Sequence, residues 1–256
     1  MPTLKPTSRA PHISLGVIII ICLGVTANGG DLQAELARLQ KQAGQPGSDL
    51  HAIEGEYLHL LRDRTSTEDV ADVRVAVARM YARDVRNYAK ELAGASQRAL
   101  VHPVRPETAA ELYMFWGDAL WAQALKADAP VSASGMREIA RPYIDGIRVI
   151  EQSVVSLEPK PLPVVEWYDY DGEETDPLYG ELEEKRLRQI AAFEGAKQHN
   201  RLVKLRRTLI RQVASLYENE RRIEDLRETV SRLIGDPVAA GRLVDEIQAE
   251  RAEEHY

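Results

Sequence analysis

The chain contains one cysteine, Cys22, so no intramolecular disulfide can staple it, and its stability has to come from buried apolar surface. Its one strongly apolar run, Ile13 to Val25, is shorter than the ~20 residues that cross a bilayer as a helix, and no second stretch comes close. Asn28, Asn87, Asn200 and Asn219 stand outside any Asn-x-Ser/Thr sequon, so nothing points to N-glycosylation. There is no Gly-x-Ser-x-Gly elbow and no phosphate-cradling glycine loop. His51, His59, His102, His199 and His255 have no Ser or Asp constellation around them, so nucleophilic catalysis and nucleotide chemistry have no foothold and no cofactor is called for. Phenylalanine is nearly absent, while Ala, Leu, Arg and Glu dominate, a profile that favours helices with solvated outer faces over sheets. The net charge of -7 arises from abundant charges of both signs, which suits a soluble protein and argues against nucleic acid as the main partner.

What is present begins with a leader. Lys5 and Arg9 give a basic start, the run from Ile13 to Val25 is an apolar core, and Val25-Thr26-Ala27 offers small residues for a signal peptidase. Residues 1–27 are therefore expected to be a cleaved signal peptide, leaving a mature chain without a permanent membrane span in a periplasmic or extracellular compartment. Retention of the run as an anchor is the alternative, and lipidation at Cys22 is disfavoured by Ile21 just before it.

Beyond the leader the apolar residues repeat at helical spacing, and the expected fold class is all-α: a helical-hairpin array over residues 28–158, then a long-helix, coiled-coil-like region over 178–256. Asp31, Ser48 or Asp49, and the run Thr65-Ser66-Thr67 are candidate N-caps for the first three helices. Val70, Val73, Val77, Met80, Val85, Tyr88 and Leu92 predict one helix from Glu68 to Leu92, and Pro106 suits the first turn of a helix carrying Trp116 and Trp121. Pro142 is expected either to kink the following helix or to mark its true start. The pattern Tyr113-x-x-Trp116-Gly117-x-x-Leu120, then Tyr143, Gly146, Ile147 and Leu157-Glu158-Pro159, resembles one tetratricopeptide helical hairpin spanning Tyr113 to Pro159. The resemblance implies two antiparallel helices closed by a glycine contact and a role in protein recognition.

Residues 159–177 change character. Pro159, Pro161 and Pro163 favour an extended backbone, and Trp167, Tyr168 and Tyr170 then alternate with acids, so this linker reads as a strap whose aromatics dock on a helical surface or serve as a recognition loop. Asp169-x-Asp171-Gly172 has part of the spacing of a calcium loop, but that register puts Trp167 and Leu178 where oxygen ligands are needed. In the last region Leu202, Leu209, Leu216, Ile223 and Val230 recur every seventh residue, either along one helix over 187–234 or in a hairpin broken near Asn219. Gly235-Asp236-Pro237 marks a stop and a fresh start.

Three candidate functions follow. The preferred one is an exported binding or scaffold protein, with a protein partner or a second copy of itself as ligand and Trp167, Tyr168 and Tyr170 in the contact surface. The second is a polyanion or envelope-polymer binder using the acid-free basic run Lys197, Arg201, Lys204, Arg206, Arg207 and Arg211, unless acids of the same molecule claim those charges. The third is an enzyme or metal protein using Glu56-x-x-His59, whose spacing puts carboxylate and imidazole on one helix face.

Overall fold

Local side-chain capping marks where several of the helices begin. In the computed structural model, which describes residues 29–62, 64, 66–127, 131–166, 177–217 and 222–254, the chain is all-α, with nine α-helices and no strand among the described residues. They are α1 (Gly29–Ala43), α2 (Leu50–Leu60), α3 (Thr67–Tyr81), α4 (Ala89–Leu100), α5 (Pro106–Lys126), α6 (Ala133–Ser153), α7 (Pro177–Leu216), α8 (Ile223–Ile234) and α9 (Pro237–Glu254). Asp49 accepts from the amides of His51 and Ala52 to cap α2, and Ser66 accepts from Asp69 to cap α3. Asp236 accepts from Val238 and Ala239 at the start of α9, just after Gly235 ends α8 in the left-handed region at φ 74°. The first helix starts earlier than expected, at Gly29, so Asp31 lies in its first turn.

The helix anticipated from Glu68 to Leu92 is two. After Tyr81 the chain tightens into a 3₁₀ turn, and the Asp84 side chain accepts from both the backbone and the side-chain amide of Asn87. This local bonding competes with α-helical continuation. Pro142 lies buried inside α6, and the helix continues through it from a start at Ala133, capped by Ser132. Near Asn219 the chain leaves the helix: α7 ends at Leu216 and α8 begins at Ile223, with 218–221 outside the described residues. The leader, with Cys22 and the cleavage site at Ala27, lies outside them too, as do Trp167, Tyr168, Tyr170 and the Asp169-x-Asp171-Gly172 segment. No helix among the described residues is long and apolar enough to cross a membrane.

The chain divides into two units. One contains residues 28–157 and 202–256, the other residues 158–201. In the larger unit, α1 to α4 gather a core around Leu39, Ile53, Tyr57, Val73, Met80, Tyr81 and Leu92, completed by Leu112 and Ala119 of α5. A second core combines Ala110 of α5 and Ile139, Tyr143, Ile144 and Ile147 of α6 with Leu209, Val213, Val230, Leu243 and Ile247 from the three C-terminal helices. Helix α5 therefore serves both, one face to each. The seventh-residue set contributes Leu202, Leu209, Leu216 and Val230 to the second core, with Ile210 and Val213 beside them on a broad face.

Contacts between α5 and α6 run in opposite senses along the two helices, so the pair is antiparallel. A Cβ on Gly117 would stand 2.4 Å from the Tyr143 ring, and one on Gly146 would stand 3.2 Å from Tyr113 Cβ and 3.0 Å from Leu209 Cδ1. Close approach requires glycine at 117, while at 146 an added methyl would need Leu209 and Tyr113 to give by a few tenths of an ångström. The smaller unit holds the described strap, 158–166, and α7 from Pro177 to Arg201, and between 179 and 201 only Ala196 and His199 are buried.

Candidate functional site

The strap lies along α7 through polar contacts to its backbone. Asn200 Oδ1 accepts from the Lys160 amide at 2.7 Å, and Asn200 Nδ2 donates to the Lys160 carbonyl at 2.8 Å. One side-chain amide thus satisfies both backbone groups of one residue, and its orientation is fixed because a flipped amide would set donor against donor. His199 Nε2 lies 2.8 Å from the Glu158 carbonyl oxygen. A carbonyl only accepts, so Nε2 carries the hydrogen.

At the far end Gln189 Oε1 accepts from the Glu166 amide at 3.1 Å, and Gln189 Nε2 donates to Glu166 Oε2 at 3.4 Å. Lys185 Nζ adds an ion pair to the same oxygen at 3.2 Å. From Asn200 back to Gln189 the helix rises about 16 Å at ~1.5 Å per residue. Six steps of strap span that distance, which requires a nearly extended chain and matches the ~3.1 Å per residue of polyproline geometry. Its cause is local: Lys160 and Leu162 each precede a proline, which drives them out of the helical region. Leu162 and Val164 are 51% and 79% exposed, so the strap's hold on α7 does not run through them.

Four of the six basic residues, Lys197, Arg206, Arg207 and Arg211, pair with acids of the same chain. Arg206, a buried residue, donates through Nε and Nη2 to Glu151 Oε1 at 3.0 and 2.7 Å, and its Nη1 stands 2.6 Å from Glu246 Oε2. Burial alone would lower its pKa, but the hydrogen bonds to Glu246 and Glu151 outweigh that and raise it. Arg207 and Arg211 both donate to Glu250, at 2.9 and 2.5 Å. Desolvation works to raise the Glu250 carboxyl, and the two guanidiniums overcome it and hold it below the ordinary range. Lys197 pairs with Glu194 at 3.5 Å, while Arg201 and Lys204 are exposed and make no ion pair among the described residues.

Glu56 and His59 both sit on the outer face of α2, where Glu56 accepts from Arg38 at 3.0 Å. Among the described residues no group of three or more His, Cys, Asp or Glu is arranged to hold a metal ion. Their neighbours on the helix form a different polar group. Tyr81 Oη, fully buried, donates to Glu54 Oε2 at 2.5 Å and lies 3.3 Å from His51 Nδ1, with Arg98 3.5 Å from Glu54 Oε1. Burial first, then the Glu54 carboxylate, pushes the Tyr81 phenol up. This satisfies a buried hydroxyl at the junction of α2, α3 and α4 and exposes no nucleophile. A second such pair is Tyr143 Oη donating to Asp118 at 2.8 Å, where burial raises the Asp118 carboxyl and its hydrogen bond opposes that rise.

Gln189, His199 and Asn200 were not legible in the sequence as the residues that hold the strap. They sit on a stretch of α7 that is mostly exposed, His199 being buried and Gln189 and Asn200 half-buried, and nothing in their spacing distinguishes them from solvated residues; only the pairing of a proline-rich strap with amide side chains on the following helix hints at them. The chain matches no protein-family model, no curated protein and no solved structure.

Proposed function

We propose that the protein is an exported helical binding or scaffold protein whose working surface is the strap together with the N-terminal part of α7. The observation that carries this reading is the clasp of Asn200 and Gln189 on the strap backbone, by which a helix face holds extended chain through amide side chains. A stretch of helix serving only the core would bury leucines, as residues 202–216 do. Two exposed apolar side chains, Leu162 and Val164, are displayed on that held backbone and are suited to a protein partner or a second copy of the chain.

The antiparallel pair α5 and α6, closed at Gly117 on Tyr143 and at Gly146 on Tyr113, supports reading it as a tetratricopeptide-like hairpin within the same scaffold. Export rests on the leader motif alone. The polyanion reading is the weaker one, since Arg206, Arg207 and Arg211 face Glu151, Glu246 and Glu250.

Two measurements test the proposal. Mass spectrometry of protein from the exported fraction of the native cell is expected to find a mature N-terminus at Asn28; full-length chain starting at Met1 in the cytosol would reject export. A photo-crosslinker at Leu162 or Val164 is expected to capture one partner or a second copy, and one on the solvated face at Gln198 is not. Equal, unselective labelling from all three positions would reject the surface.

A further inference from the structure

We infer that the face of α7 carrying Gln189, His199 and Asn200 is a binding site for extended peptides of the form x-Pro-x-Pro-x-x-acidic, and that residues 158–166 fill it in cis. The inference rests on the reading of this surface as the binding face and names the class of ligand that its α7 half takes when the strap is displaced. Three features define the ligand. The residue clasped by Asn200 must have an N–H, which excludes proline at that position, and Lys160 is the residue that supplies it here. The prolines that follow it at alternate positions hold the segment extended, so little conformational entropy is lost on docking.

The last position must be acidic. Gln189 and Lys185 both reach the Glu166 carboxylate. The positions of Leu162 and Val164 are open to substitution, because those side chains point to solvent. His199 adds a contact to the carbonyl two residues before the clasped one, a backbone group that every peptide offers. The site therefore reads backbone shape and one terminal charge, and the cis strap acts as a tethered competitor whose high effective concentration keeps the face closed to weak ligands.

The test uses the full chain with residues 158–166 replaced by a Gly/Ser linker of equal length, and a fluorescent peptide copying residues 157–166. Fluorescence anisotropy is expected to show saturable binding to this variant and at least tenfold weaker binding to the intact chain. Adding Asn200→Ala, or placing proline at the peptide position that copies Lys160, is expected to weaken binding at least tenfold. Alanine at the positions copying Leu162 and Val164 is expected to leave affinity unchanged. No saturable binding to a linker variant of unchanged helicity, or affinity indifferent to Asn200→Ala, overturns the inference.

Should the linker variant lose its helicity, the intact chain decides. There Asn200→Ala is expected to speed hydrogen exchange across 158–166 by at least tenfold while leaving 202–216 unchanged, and an unaltered strap overturns the proposal. A failed peptide assay beside a mature Asn28 terminus and selective cross-links at Leu162 would reject the ligand class and leave the binding function standing.

Discussion

Within the single helix α7, the two ends are held by different physics. Residues 202–216 bury Leu202, Leu209, Ile210, Val213 and Leu216 and set Arg206 between two acids, whereas 179–201 bury only Ala196 and His199 and engage an extended strap through amide side chains. The first kind of contact is non-directional and scales with area; the second is directional and individually weak once exchange with water is counted. The difference teaches that an exposed helical stretch rich in polar residues need not be idle surface.

The comparison breaks most sharply at Leu209. Leu209→Ala removes a fully buried side chain from the second core and is expected to cost about 3 kcal/mol in denaturant unfolding. Next comes Gly117→Ala, which at an ordinary helical site would gain up to ~1 kcal/mol. Here the added methyl meets the Tyr143 ring, so a loss of about 2 kcal/mol is expected, with a lower Tm. Stabilisation by this substitution would show that the α5 and α6 packing is looser than described.

Arg206→Met leaves Glu151 and Glu246 without their shared cation. Because those acids are 34% and 43% exposed and partly rehydrate, a loss of about 1 to 2 kcal/mol is expected. Glu250 gives a smaller effect with a pH signature. Its folded-state pKa is depressed, so its contribution is present above the unfolded value near 4.5 and fades as pH falls through the lowered one. Glu250→Gln is therefore expected to cost up to about 1 kcal/mol at neutral pH and nothing in strong acid.

Asp118 has the opposite sign: its pKa is raised by burial, so the folded state favours the protonated form and its ionisation destabilises the protein as pH rises through the raised value. Asp118→Asn, which keeps an acceptor for Tyr143, is expected to gain stability at neutral pH and lose that advantage in acid. At the exposed end of α7, Asn200→Ala is expected to change global stability by less than about 0.5 kcal/mol, since only exposed backbone bonds are lost.

What could be read along the chain and what could not divides by the range of the interaction. The caps at Asp49, Ser66 and Asp236, the proline start at Pro106 and the glycine stop at Gly235 depend on atoms within a few residues; Asp236, Pro106 and Gly235 were legible as such, and Asp49 and Ser66 to within a neighbouring residue. The apolar period through Val85, Tyr88 and Leu92 concealed the turn at 82–88, because a 3₁₀ segment between two helices hardly disturbs the spacing. The fates of Arg206, Arg207 and Arg211 depended on Glu151, Glu246 and Glu250, 39 to 55 residues away, which no local pattern reveals. Proline chemistry predicted the extended strap, while the amide clasp that holds it came only with the fold.

Hydrogen exchange along the intact chain, resolved to the amides of Lys160, Glu166 and residues 202–216, tests the division of α7 most directly. The account predicts that 202–216 exchange only through global unfolding, whereas Lys160 and Glu166 open locally at least about a hundredfold faster. Equal protection in the two regions would contradict it, because the strap would then be part of the cooperative core and not a held, releasable segment.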